Sequence, residues 1–274
     1  MKRVFLYFGS FNPIHKGHIS LAEYVVEQKL CDSVVLIVSP QNPHKDSSGL
    51  LPELTRFEMA EIACNASEYP NAIQASAIEF LLERPSYTIN TLRYLKENNG
   101  HEMSFAVLMG ADILRDFHLW REYEEILADY PIYVYPRKGY AADKYTDKIN
   151  YLADAPVFDY SSTDIRSAFA EGRDTSGMLQ KEVAEYIASH KLFGTGHKVA
   201  GRDDTVRDAA AHGGANIEEE IARGRAFFGR NEWGEALNAF RRALKLDPRN
   251  KEAAEYVKMI ENILAFRYKD IYNP

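Results

Sequence analysis

At 274 residues the chain can bury one large core, or a medium one beside a smaller neighbour. With 46% hydrophobic and 27% charged residues it reads as an ordinary globular protein, and a net charge of −7 excludes the chain-wide basic field of a nucleic-acid coat. Two cysteines, Cys31 and Cys64, exclude a disulfide framework or zinc ribbon; no stretch approaches the roughly 20 apolar residues of a membrane span, and a reducing cytoplasm is the expected setting.

Residues 4–8 (VFLYF) are apolar throughout, as in a strand buried on both faces, and a loop, GSFNPIHKGH, leads into helical spacing over about 18–29. A second apolar run fills 34–38, and helical spacing follows at 53–66 and 88–97. Runs at 105–109 and 131–135 bracket a predicted helix over 112–128, and two more helices fit 161–171 and 179–191. Strands alternating with helices predict right-handed βαβ units and a doubly wound, mainly parallel α/β sheet of Rossmann-like type. Residues 194–215 lose that periodicity, so they read as a linker between a domain at 1–193 and a small helical domain at 216–274.

In such a sheet ligands sit beyond the carboxyl ends of the strands, which singles out the loop at 9–18. Gly9 permits a tight turn, Pro13 stiffens it, and Gly17 leaves room at a helix start whose free N–H groups suit an anion. His15 and His18 share a helical face, and two imidazoles aimed at one phosphoryl group can steady its transition-state charge. The same spacing fits two core or surface histidines, or a metal pair completed by distant acids. No third His or Cys with ligand spacing lies nearby, so no metal ligands are assigned.

The stretch resembles the (H/T)-x-G-H signature of the nucleotidylyltransferase superfamily, and SSTDIRS at 161–167 resembles that superfamily's S-x-T-x-I-R signature. The intervening SPQNPHK, RPSYTINTL, MGAD, FHLWREYEEIL and YPRKGY are similar to the bacterial nicotinate-nucleotide adenylyltransferase family, from residue 1 to about 193. That resemblance implies adenylyl transfer from ATP to nicotinate mononucleotide, with Mg²⁺ bridging the phosphates mostly through water and substrate oxygens. It implies His15, His18, Lys45 and Arg166 as the catalytic set, with Gly9, Ser10, Phe11, Gly17, Ser161, Ser162, Thr163 and Ile165 around ATP. For the acceptor it implies Trp120 stacked on the pyridine and backbone amides at Thr88 and Arg121 on the carboxylate. Asn42, His44, Asp112 and Arg137 complete the acceptor set.

Each side chain also has a plainer use. Trp120 suits helix packing, Asp112 a helix cap, and Lys45 a solvated loop; Arg56 and Met59 suit structural roles. A degenerate domain that senses a dinucleotide is the reading from another class, and nicotinamide mononucleotide or phosphopantetheine are other possible acceptors. The intact charged set favours an enzyme.

Residues 217–250 resemble one tetratricopeptide repeat, carried by Gly224, Phe227, Ala236, Phe240, Ala243 and Pro248, with departures at Glu220 and Arg223. Residues 251–267 supply a further helix. One repeat is too small to stand alone, so the unit is expected to pack on the first domain, self-associate or bind a protein partner.

Overall fold

The alternation along β1 (Lys2–Gly9) decides how the sheet is covered: Phe5 and Tyr7 face one helical layer, Val4 and Leu6 the other. The computed structural model describes residues 1–40, 49–83, 85–194, 216–230 and 232–268. After β1 come α1 (Lys16–Glu27), β2 (Ser33–Val38), α2 (Glu53–Asn65), β3 (Ile73–Ser76), α3 (Ile78–Leu81), α4 (Thr88–Asn99) and β4 (Met103–Gly110). Then follow α5 (Ala111–Leu114), α6 (Tyr123–Asp129), β5 (Ile132–Tyr135), β6 (Ile149–Tyr151), α7 (Ser162–Ala170) and α8 (Lys181–Ser189). A helical tail of α9 (Ile217–Gly229), α10 (Trp233–Leu246) and α11 (Lys251–Tyr268) closes the described chain.

The strands stand in the order β3-β2-β1-β4-β5-β6, and every neighbouring pair is parallel. The order reverses between β1 and β4, which opens a crevice at their carboxyl ends. Cys31 and Cys64 are buried free thiols, and burial pushes Cys31 up to about 12. Among the described residues no helix is long and apolar enough to cross a membrane.

Two differences from the sequence reading have physical causes. The helix expected over 112–128 is broken into α5, a 3-10 turn at Phe117–Leu119 and α6. Phe117 is fully buried and draws Trp120, Tyr123 and Tyr145 around its ring, while Glu122 takes φ 52 and ends the extended stretch before α6. Strands β3 and β6 were not expected: β3 (IQAS) carries polar residues, and β6 is a short outer strand with little burial. The linker expected at 194–215 lies, beyond Gly194, outside the described residues.

The tail packs on the α/β half. Ala236, Leu237, Phe240 and Ala243 of α10 are fully buried and join the hydrophobic cluster that lines the α1, α2 and α8 side of the sheet. A Cβ on Gly224 would lie 2.6 Å from the Phe240 ring, so α9 and α10 approach as closely as only glycine permits. Phe240 in turn stacks on Tyr256, with centroids 4.4 Å apart. Glu220, where the repeat pattern departs, is buried at 3% exposure and is held by Arg223 at 3.1 Å and Arg242 at 3.0 Å.

Candidate active site

The crevice is lined by the loop after β1, the start of α4, the turn after β4, Arg137 after β5 and the start of α7. Its geometry begins with the histidines. His15 is the N-cap of α1, and its ring stacks on His18 with centroids 3.7 Å apart. The His15 backbone N–H donates to Nδ1 of His18 at 3.2 Å, which fixes the tautomer: a neutral His18 carries its proton on Nε2. His15 is 4% exposed, and its Nδ1 has no hydrogen-bond partner among the described residues. Burial, with the nearby charge of Arg137, lowers its pKa to about 3, so it is a neutral dipole at pH 7.

Two glycine readings change with the geometry. A Cβ on Gly9 would meet the Phe11 ring at 2.8 Å, and one on Gly17 would meet the His15 ring and Phe158 at 3.1 Å. The glycines therefore make room for the site's own rings rather than directly for a ligand. The start of α1 is also less open than expected. The Lys16 N–H donates to the Met178 carbonyl at 2.9 Å, and the His18 N–H to the His15 carbonyl at 2.9 Å. An anion there depends on side chains more than on the first amides of the helix.

The second signature folds against the first. Ser161 caps α7 and donates from both its N–H and its hydroxyl to Asp164, at 2.7 and 2.6 Å, which holds that carboxyl below its usual range. Ser162 Oγ donates to the Pro13 carbonyl at 2.9 Å, and Arg166 donates to the Asn12 carbonyl at 2.8 Å and to Thr163 Oγ1 at 3.1 Å. Arg166 and Thr163 line the crevice, whereas Ile165 is fully buried and its side chain belongs to the core.

Beneath this loop lies Arg56, which is fully buried. Its guanidinium donates to the carbonyls of Leu51, Ser10, Ser39 and Pro40 at 2.9, 2.6, 2.7 and 2.8 Å, gripping the ends of β1 and β2 together. Asn12 adds a second tie, donating to Gly49 at 3.0 Å and accepting from the Leu51 N–H at 3.2 Å.

Across the crevice stand the residues expected to meet the acceptor. Thr88 is the first residue of α4; the N–H groups of Asn90 and Thr91 go to the Tyr87 carbonyl, which leaves the two preceding amides ahead of the helix's own bonds. Trp120 sits in extended backbone, T-shaped to Phe117 at 5.3 Å, and Arg121 lies over the Tyr87 ring at 5.0 Å. Asp112 does not cap a helix, since Gly110 is the N-cap of α5; it pairs with Arg137 at 3.6 Å. Asn42, His44 and Lys45 lie outside the described residues.

Sequence reasoning missed three contributors. Gly110 leaves room for Asp112, since a Cβ there would lie 2.3 Å from Oδ1 of that residue and 3.1 Å from the Arg137 and Tyr135 side chains. Tyr7 and Tyr135 line the crevice and share a hydroxyl–hydroxyl bond of 2.9 Å across the end of β4, and burial pushes Tyr135 up to about 12. Their signal was a tyrosine late in each of two apolar strands.

Residues 6–168 match the cytidylyltransferase-like family. Relatives in Flavobacterium johnsoniae and Christiangramia forsetii, each curated as "Probable nicotinate-nucleotide adenylyltransferase", are 39% and 40% identical over 70% of this chain and 98% of their own length. The chain belongs to the nicotinate-nucleotide adenylyltransferase family. A relative from Bacteroides fragilis under the same name is 40% identical over 66% of this chain and 89% of its own. Those family members are matched nearly end to end by part of this chain, which therefore carries a portion they lack. Residues 218–250 separately match the tetratricopeptide repeat. The solved Plasmodium falciparum nicotinic acid mononucleotide adenylyltransferase complexed with NaAD shares the fold at 19% identity and a TM-score of 0.59, over 70% of this chain and 98% of that one.

Proposed function

We propose that this member of the family transfers the adenylyl group of ATP to nicotinate mononucleotide, forming deamido-NAD and pyrophosphate. One observation carries the reading: Ser162 and Arg166 bind the Pro13 and Asn12 carbonyls, closing two distant signatures around one crevice that Trp120 and the start of α4 face. The relatives' shared name supports the same acceptor.

The acceptor phosphate attacks the α-phosphorus in line. A new P–O bond forms as the bond to the β-phosphate oxygen breaks, and pyrophosphate leaves with that electron pair. The acceptor phosphate is already ionised, so no proton need be removed. ATP would enter as its magnesium complex, with the ion held mostly by phosphate oxygens and water.

The protein supplies position and charge. His18 offers its Nε2–H to the α-phosphate oxygens, the neutral His15 polarises the same region, and Arg166 neutralises the polyphosphate together with Lys45. Gly9, Ser10, Phe11 and Ser161 to Thr163 surround the nucleotide, Gly17 keeps His15 in place, and Ile165 anchors α7 from the core. Trp120 stacks on the pyridine. The amides at Thr88 and Arg121 receive the carboxylate, Asp112 with Arg137 takes the ribose, and Asn42 and His44 take the acceptor phosphate. Free buried thiols suit a cytoplasmic enzyme.

Pyrophosphate release from magnesium–ATP, measured with nicotinate mononucleotide, nicotinamide mononucleotide and phosphopantetheine in turn, tests the assignment. Rapid turnover with the first is the expected result. Nucleotide binding without turnover on any of the three rejects it.

A further inference from the structure

The tail rests on the part of the α/β half that carries the nucleotide loops. The Gly234 N–H, at the start of α10, donates to Oε1 of Glu53 at 2.8 Å, and that carboxylate is buried at 6% exposure. Glu53 also opens α2, so one carboxylate serves the positive ends of two helices. One turn along α2, Arg56 grips the carbonyls of Ser10, Ser39 and Pro40. Farther along α10, Arg241 donates to the Leu81 carbonyl and Lys245 pairs with Glu83, with the fully buried Leu237 between the two ends of the contact.

We propose that the tail is a working part of the nucleotide site: seated on Glu53, it fixes the first turn of α2 and, through Arg56, sets the loops that receive ATP. Glu53 is thus a positioning residue. Its action falls more on ATP than on the mononucleotide, because Arg56 grips the ends of β1 and β2, where the acceptor contributes only its phosphate end, while Trp120 stands after β4. The inference rests on the adenylyl-transfer reading only for the identity of the nucleotide.

The test uses the full chain with Glu53→Ala, Glu53→Gln, and Arg241→Ala combined with Lys245→Ala. Calorimetry reads the Kd of a non-hydrolysable magnesium–ATP analogue, steady-state kinetics the KM for nicotinate mononucleotide, and amide exchange the opening of α10. In Glu53→Ala and in the double variant the Kd rises about fivefold to tenfold, the effect of one lost charge-assisted hydrogen bond. Glu53→Gln restores it, since an amide oxygen still accepts from Gly234, and in the two weakened variants the KM for the mononucleotide rises by a smaller factor than the Kd. The double variant leaves α2 intact and carries the test alone if Glu53→Ala fails to fold. An unchanged Kd while amide exchange shows α10 released overturns the proposal, as do equal rises for both substrates. A wild-type chain that binds the analogue yet releases no pyrophosphate overturns the adenylyl-transfer reading instead.

Discussion

The rings of His15 and His18 lie 3.7 Å apart at 29°, and the backbone N–H of the first is bonded to Nδ1 of the second. The pair is a relay of fixed orientation: His15 holds the tautomer that makes His18 a donor from Nε2. Replacing His18 by alanine removes that donor from the transition state, so kcat for pyrophosphate release falls about 10²-fold or more. A variant with near-normal kcat would take His18 out of the chemical step.

His15 makes stability depend on pH in a stated direction. Its value of about 3 in the fold compares with an ordinary 6.5, so between those two the unfolded chain binds a proton that the folded chain refuses. Stability therefore falls as pH drops from about 6.5 toward about 3, and this contribution is level above 6.5. His15→Asn flattens that part of the profile. Thermal melts of both proteins through this range check it; identical slopes mean that His15 is not held neutral.

Trp120 has a substrate-specific consequence. Its half-buried ring faces the crevice and touches Phe117 edge-on, so its open face is available to a flat ligand. Trp120→Ala raises the KM for nicotinate mononucleotide by about tenfold and leaves that for ATP near its original value. Equal rises for both substrates contradict stacking.

Gly224 sets the distance between α9 and α10, with Phe240 ring carbons 2.6 Å from where a Cβ would stand. Gly224→Ala pushes the fully buried Phe240 off its Tyr256 partner and destabilises the tail by about 1–3 kcal/mol. Denaturant unfolding followed by tail fluorescence at Trp233 reads the loss; a variant at least as stable as the parent refutes the close approach.

Much of this was legible locally. VFLYF announces a strand buried on both faces, and the Ser161–Asp164 box announces the start of α7, because each depends on neighbours in sequence. The break at 117–122 was hidden: apolar spacing there fits a helix, and only the burial of Phe117 among distant rings overrides it. Arg56 was read as structural, and it is, yet the Ser10 and Ser39 carbonyls that it joins come from two separate strands. Tyr7 and Tyr135 meet only because β4 lies between their strands, a fact of sheet order that no spacing records.

The bond from Arg166 to the Asn12 carbonyl has a consequence for biosynthesis. Both histidines leave the ribosome early, with the first strand. The guanidinium that completes their loop emerges only after every strand of the sheet has been made. A nascent chain that has paired β1 with β2 thus carries its signature residues without a finished nucleotide cradle. It gains the bonds from Ser162 and Arg166 to that loop only when α7 arrives.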